Sequence, residues 1–160
     1  MKKTLCLSLI LCMLLSVIAC KSTAYSNNVD PEELMEQIAR KLPSETHYVE
    51  ADDDYLDIYL PNDEVIREQA IYYATDGNKL DEFGLFHVTD GNEERIAAYV
   101  EQYLTENYTQ NEAFYNSYIP EETPKLKNAE VKTYGNYVAY AILDDEGRNA
   151  FFTAVENGLK

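Results

Sequence analysis

The first twenty residues most constrain what this chain can fold into, because they have the features of a segment that lies outside the folded domain. Lys2 and Lys3 precede an apolar run over residues 5–18 that only two serines interrupt. Such a run is too short to cross a hydrocarbon core about 30 Å thick as a helix, and its length and basic flank are typical of a signal peptide. The sequence therefore predicts that residues 1–19 are a leader.

The end of this leader resembles the lipobox of bacterial lipoproteins. Ala19 directly precedes Cys20, and in those proteins the chain is cleaved before a cysteine whose sulfur carries a diacylglyceryl group. The resemblance implies cleavage between Ala19 and Cys20, fatty chains such as palmitate on Cys20, and a place on the extracytoplasmic face of the cell membrane. Two or more acyl chains hold a protein stably at a membrane. A plain secretory signal and an intact apolar helix are the alternatives.

The cysteines limit how the rest of the chain is stabilised. Cys6 and Cys12 lie inside the leader, so the mature protein would contain Cys20 alone. A chain with one lipidated cysteine has neither an intramolecular disulfide nor a thiol nucleophile. We expect residues 20–28 to be a lipidated tether and residues 29–160 to form a single domain stabilised by a hydrophobic core.

The chain is strongly acidic, with 13 Lys and Arg against 29 Asp and Glu and a formal net charge of −16. Removal of Lys2 and Lys3 would take that charge to −18. Phosphate backbones repel such a surface, so we expect no nucleic-acid partner. The simplest interpretation is a solvated surface, and attraction of cations or of a basic partner is the other.

Hydrophobic periodicity and turn residues predict an α+β domain. We expect a largely antiparallel sheet of four to five strands with three helices packed against it, in the order α-β-β-β-α-β-β-α. A polar loop is predicted at 44–54, and strands are predicted at 55–60, 68–75, 83–89, 129–134 and 137–143. The helices are expected to begin at Asp30, at Asp90 and at Asp144 or Asp145, and to end before Pro43, before Pro120 and at Gly158.

Two details of this pattern say how the layers pack. Phe83 and Leu85 alternate with Phe86 and Val88, which predicts a central strand covered on both faces. In the long helix, apolar and tyrosine side chains recur at helical intervals and predict a stripe against the sheet: Ile96, Val100, Tyr103, Leu104, Tyr108, Tyr115 and Tyr118. Gly135-Asn136 is typical of a two-residue hairpin turn.

Several short motifs resemble the bacterial lipoprotein family catalogued as domain of unknown function 4358. They are residues 81–88 (DEFGLFHV), 118–122 (YIPEE), 126–129 (LKNA) and 135–138 (GNYV), separated by an acidic helix. The resemblance covers about residues 65–157. It implies a domain outside the cytoplasmic membrane, mainly in Gram-positive bacteria. It implies no activity, cofactor or catalytic residue.

The residues that carry catalysis or bind zinc are sparse. The chain has two histidines, His47 in a predicted loop and His87 in a predicted strand, where we expect it on the sheet surface. Neither has a neighbouring Cys or His at ligand spacing, and no Gly-x-Ser-x-Gly motif occurs. We therefore assign no catalytic, cofactor-binding or metal residues.

Two other functions remain open. A hydrolase using paired carboxylates is compatible with so many acids, although the acids that can be placed fall at caps, turns and exposed helix faces. A calcium-dependent adhesion or sensing module would use the acidic loop from Asp52 to Asp57, which includes Asp53 and Asp54.

The chain has fourteen tyrosines and no tryptophan. Tyr72 with Tyr73, or Tyr137 with Tyr140, would line a glycan- or peptide-binding face, since tyrosine joins apolar area to a hydrogen-bonding tip. The alternative is that these rings fill the core. The sequence thus favours a non-catalytic, membrane-anchored binding module whose partner is an envelope protein or a cell-wall component.

Overall fold

The computed structural model describes residues 25–52, 54–56 and 64–160. The predicted α+β class and antiparallel sheet are confirmed, and one short helix is added after the long one. The elements of the described residues are α1 (Pro31–Ala39), β1 (Tyr48–Glu50), β2 (Ile66–Ala74), β3 (Glu82–Val88), α2 (Glu93–Tyr118), α3 (Thr123–Lys127), β4 (Glu130–Tyr134), β5 (Tyr137–Ile142) and α4 (Asp145–Gly158).

The predicted position of the first strand is wrong. Residues 48–50 form β1 inside the stretch expected to be a loop, while residues 54–56 are helical and residues 57–60 lie outside the described part. Three residues are too few to show an alternating pattern, and β1 exists because it pairs antiparallel with the end of β2. Asp52 accepts a hydrogen bond from the Tyr55 N–H at 3.0 Å, which starts the helical turn instead of a strand.

The sheet has the order β1-β2-β3-β5-β4, and every neighbouring pair is antiparallel. As predicted, Gly135-Asn136 joins β4 to β5, with Gly135 at a φ of 55° that suits glycine. All of β3 is buried, because helices cover both faces of the sheet.

The alternation of β3 divides the core between those two faces. Phe83 and Leu85 pack with residues of α1 and α4, including Met35, Ile38, Phe151 and Val155. Phe86 and Val88 pack with residues of α2, namely Ile96, Val100 and Leu104. Glu82 and Gly84 have the same parity as Phe86 and Val88, so they belong to the α2 face.

The helix starts are partly as predicted. Asp30 accepts from the Glu32 N–H at 2.9 Å, and Asp144 accepts from the Gly147 N–H at 2.7 Å, as N-caps do. The predicted cap at Asp90 is wrong, because the N-cap of α2 is Asn92. Asp90 instead accepts a 2.5 Å hydrogen bond from the Asn136 amide, which draws it towards the β4–β5 turn.

The stripe predicted along α2 is confirmed except at its last member. Ile96, Val100 and Leu104 are buried, and Tyr103, Tyr108 and Tyr115 are partly buried and pack against the same core. Tyr118 is 73% exposed, so its predicted place in the stripe is wrong. No residue of α2 after Leu104 is fully buried, and this half of the helix contributes polar side chains to a groove.

The start of the described chain lies at the β4–β5 turn. The Ser26 N–H donates to the Leu159 carbonyl at 2.7 Å, and the Tyr25 ring packs edge-on against Tyr134 at 5.5 Å. His87, near the end of β3, pairs with Tyr137 beside this turn, whereas Glu82 pairs with Ile142. The chain therefore enters at one end of the sheet and Glu82 lies at the other, about 20 Å away along β3.

Candidate functional site

A carboxylate is buried at the start of the central strand. Glu82 is 5% exposed and accepts hydrogen bonds from three tyrosine hydroxyls. Tyr140 Oη lies 2.7 Å from Oε1, Tyr103 Oη lies 3.0 Å from Oε1 and 3.2 Å from Oε2, and Tyr55 donates to Oε2. Three hydroxyl protons thus serve the two carboxylate oxygens, with that of Tyr103 shared between them.

Gly84 makes room for the innermost of these tyrosines. In the β3–β5 register Gly84 stands opposite Tyr140. A Cβ at position 84 would lie 2.5 Å from Tyr140 Cε1 and 2.8 Å from Ile71 Cγ1. The Tyr140 ring therefore occupies the space of a side chain at position 84, and its hydroxyl reaches Glu82 two residues along the strand.

The other two tyrosines come from two different elements, α2 and the turn at residues 54–56. Tyr103 lies on α2 one residue before the buried Leu104, so packing of the helix carries its hydroxyl to Glu82. Tyr55 lies on the 54–56 turn and stacks on Tyr73 with ring centroids 4.6 Å apart. Tyr73 is the β2 partner of Glu82 in the register, which brings the stacked pair beside the carboxylate.

Burial dominates the electrostatics of this cluster. Loss of solvent raises the pKa of Glu82, and the hydrogen bonds from the three tyrosines offset only part of that rise. Burial and the charge of Glu82 raise the pKa of Tyr103 and of Tyr140 above the usual value for a phenol. Tyr103 and Tyr140 are therefore held as donors, in the form that stabilises a carboxylate.

A network of ion pairs lies next to this cluster and joins the β2–β3 turn to α3. Lys125 Nζ is 2.5 Å from Asp81 Oδ1 and 2.7 Å from Glu122 Oε2, and Lys79 Nζ is 3.0 Å from Glu122 Oε1. The Leu80 N–H also donates to Glu122. Burial raises the pKa of Glu122, but the two lysines and the Leu80 N–H outweigh burial and leave that pKa below its usual value. These charges are mutually neutralised.

A cavity of about 720 Å³ opens above Glu82 between α2 and the ends of β2 and β3. We call it the α2 groove. Its lining consists mainly of tyrosines and amide side chains, with few charges: Tyr55, Tyr73, Ala74, Lys79, Leu80, Asp81, Glu82, Tyr99, Gln102, Tyr103, Glu106, Asn107, Gln110, Asn111, Tyr115, Leu126 and Ile142. Its volume lies within the range of small-molecule sites.

The outer wall of the groove has groups that a ligand can reach. Tyr99 is 51% exposed. Among the described residues, no side chain or backbone group hydrogen-bonds the hydroxyls of Tyr73 and Tyr99 or the amide of Gln110. Asn107 is less available, since its Oδ1 already accepts from Asn111 and Tyr115. The wall thus combines one exposed ring with uncommitted donors and acceptors.

The predicted tyrosine pairs do not form as such. Tyr72 packs in the core on the α1 and α4 side, whereas its neighbour Tyr73 lines the α2 groove. Tyr137 and Tyr140 are divided between the two faces in the same way. Successive residues of a strand point to opposite faces, so Tyr73 and Tyr140, one from each predicted pair, share the groove side of the sheet.

The histidine and acid predictions need correction. His87 is 6% exposed and stacks on Tyr137 at 4.5 Å, so it is not on the sheet surface. Asp81, Glu82 and Glu122 are buried, although the acids were expected at exposed positions. From sequence alone, a charged residue at the end of a strand is expected to be solvated, because its tertiary partners are not known. The signal was the motif 81–86 itself, in which two acids lead directly into buried apolar residues.

Other predicted site residues lie outside the described part of the chain. They are Ala19 and Cys20 at the leader, and Asp53 and Asp57 of the acidic loop. In the parts that are described, no three His, Cys, Asp or Glu side chains converge as metal ligands. None of the described helices combines the length and apolar character that crossing a membrane requires.

Comparison with known proteins gives one match. No curated protein and no solved structure matches the chain. A family profile described as "Domain of unknown function (DUF4358)" matches residues 45–143, which include β1 to β5, α2 and α3 and therefore the whole α2 groove. The chain belongs to the family known as domain of unknown function 4358.

Proposed function

We propose that this protein is a lipid-anchored, extracytoplasmic lipoprotein whose domain binds an envelope protein or a cell-wall component and does not catalyse a reaction. The observation that carries the proposal is the α2 groove. It offers an exposed ring and uncommitted hydrogen-bonding groups over a floor whose own polar groups are satisfied. Such a surface is suited to holding a ligand.

The state of the carboxylates supports binding over hydrolysis. A glycosidase needs one carboxyl group as acid and a second as base or nucleophile, facing each other across a cleft. Glu82 is buried and both of its oxygens already accept from tyrosine hydroxyls, which leaves little capacity for substrate. Asp81 and Glu122 are paired with Lys125, so neither is a free base.

The direction of the groove fits a surface-anchored protein. Residues 25 and 26 lie at the β4–β5 end of the sheet, and the groove lies at the Glu82 end. A lipid on Cys20 would therefore hold the domain with the groove turned away from the membrane. A ligand in the cell wall would reach it without displacing the anchor.

The anchor is tested by growing cells that express the full chain with labelled palmitate. We expect label on the wild type and none on Cys20→Ala, because the diacylglyceryl group would be attached through the sulfur of Cys20, the one thiol of the predicted mature chain. The Cys12→Ala variant is the matched control and should keep its label. An unlabelled wild type, or label that survives in Cys20→Ala, would contradict the anchor.

The binding role is tested by a photo-crosslinking residue placed in living cells at Gln102, which lines the groove. We expect one defined adduct that disappears when Tyr99→Ala is added, since Tyr99 lines the same wall. The same crosslinker at Tyr118 is the control, because Tyr118 is exposed on α2 but does not line the groove. Equal adducts from both positions, or none from Gln102, would refute a ligand in the groove.

A further inference from the structure

We propose that the ligand of the α2 groove is a neutral saccharide chain; the inference rests on the binding function proposed above and narrows it to one chemical class. Three observations lead to it. They are the amide-rich stripe of α2, the exposed ring at its start, and the pairing of the described strands, which leaves no sheet edge open along the groove.

The stripe consists of side chains that recur every three or four residues along α2 and face the groove. Its members are Tyr99, Gln102, Tyr103, Glu106, Asn107, Gln110 and Asn111. Gln102 donates to Glu106 and Tyr103 donates to Glu82, so the groups left for a ligand are mainly those of amides and of the Tyr99 phenol. Each amide carries both a donor pair and an acceptor, and each phenol carries one of each. Neighbouring hydroxyls of a sugar ring are themselves donors and acceptors, so they match these groups.

The charges near the groove favour a neutral ligand over an ionic one. Lys79 is the lysine that lines it, and its Nζ is taken by Glu122. An anion would therefore meet no free cation among the lining residues. A cation would find Glu82 buried beneath three tyrosine hydroxyls, and one oxygen of Glu106 already accepting from Gln102 at 2.7 Å.

Exposed aromatic rings bind sugars by packing against their apolar faces. A pyranose has apolar C–H faces that pack flat on a ring, while its hydroxyls point outward around the edge. Tyr99 is 51% exposed at the wall of the groove, and Tyr73 lines the same groove with a hydroxyl that bonds to no described residue. Tyrosine joins apolar area to a polar tip, which suits a ligand that has both.

The sheet does not offer an extended peptide its usual partner. Peptides that bind along a sheet add a strand at a free edge, where backbone groups are unpaired. The groove meets the sheet at Tyr73 and Glu82, and both are paired on each side: Tyr73 with Val49 and Glu82, and Glu82 also with Ile142. Ligand contacts where the groove meets these strands would therefore come from side chains.

The test is titration of the full chain with a tetramer of N-acetylglucosamine and with maltotetraose, followed by amide chemical shifts. We expect one of the two to bind, with shifts concentrated on residues 99–111 of α2. Tyr99→Ala should weaken binding about tenfold, because a stacked ring is worth roughly that factor. Tyr118→Ala is the matched control on the same helix and should bind like the wild type.

The results distinguish the saccharide ligand from the broader binding function. Failure of both saccharides to bind at millimolar concentration, or binding that Tyr99→Ala leaves unchanged, would contradict the proposal that the ligand is a saccharide. If a neutral peptide binds instead and loses affinity in Tyr99→Ala, the binding function stands and the ligand class is wrong. If the crosslinker at Gln102 also captures nothing, both are wrong. Thermal unfolding of Tyr99→Ala verifies that a loss of binding is not a loss of fold.

Discussion

Replacement of Gly84 by alanine is expected to lower the free energy of unfolding by about 3 kcal/mol, at the upper end of the usual cost of overpacking a core. The new Cβ would meet the Tyr140 ring at 2.5 Å and Ile71 at 2.8 Å. Neither neighbour has room to retreat, because Tyr140 is 0% and Ile71 is 1% exposed. Denaturant unfolding of the variant and the wild type measures the difference.

Gly77→Ala is the control for this substitution. Gly77 lies in the exposed turn between β2 and β3, and a Cβ there would have nothing within 4 Å. We expect its stability to stay within about 0.5 kcal/mol of the wild type. If Gly84→Ala were as stable as Gly77→Ala, the Tyr140 ring would not lie over position 84, and its path to Glu82 would be wrong.

Replacement of Glu82 by alanine is expected to lower the free energy of unfolding by about 4 kcal/mol, more than the replacement of Gly84. The change leaves a cavity and removes the acceptor of three tyrosine hydroxyls, of which that of Tyr140 is fully buried. Glu82→Gln is the matched variant, since it keeps the shape and one acceptor. We expect it to cost no more than about 1.5 kcal/mol near neutral pH.

The difference between Glu82→Gln and the wild type should depend on pH. Burial raises the pKa of Glu82 in the folded protein. Between the unfolded value, about 4.3, and the raised folded value, the folded wild type binds more protons than the unfolded chain. The contribution of Glu82 to stability therefore falls as pH rises through that window and is level above it. Glutamine does not titrate, so the variant should gain on the wild type across the same window.

Unfolding curves of the two proteins at a series of pH values measure this gain. A gap between them that is constant from below pH ~4.3 to neutral pH would show that Glu82 titrates as an ordinary surface acid. A gap that changes in the opposite direction would mean that the tyrosines, and not burial, dominate. Either result would contradict the electrostatics of the cluster.

Much of the fold follows from local features that the sequence shows directly. Asp30-Pro31 begins a helix because an acceptor and a fixed φ stand where a helix needs them. The alternation of residues 83–88 requires a strand with two covered faces, and Gly135-Asn136 requires a tight turn. β1 was not predictable, since three residues carry no period and the strand depends on β2.

The candidate site could not be predicted from the sequence, for a different reason. Its chemistry depends on Glu82, Tyr55, Tyr103 and Tyr140, which are far apart in the chain. They meet because Gly84 stands opposite Tyr140 and because α2 packs with Tyr103 against the same face. The strand register and the placement of the helix are properties of the tertiary structure, which the sequence does not show directly. Without them Glu82 reads as one more exposed acid in a chain that has 29 Asp and Glu.

The place of Glu82 beneath the groove is tested most directly by nuclear magnetic resonance of the side-chain carboxyl carbons in protein labelled at glutamate. The carboxyl signal that is missing from Glu82→Gln should titrate above the usual pH range of a glutamate, because burial raises the pKa of Glu82 by more than the three tyrosine hydrogen bonds lower it. If instead the signal lost in Glu82→Gln titrates near the usual value of about 4.3, Glu82 is in water and the site described above does not exist.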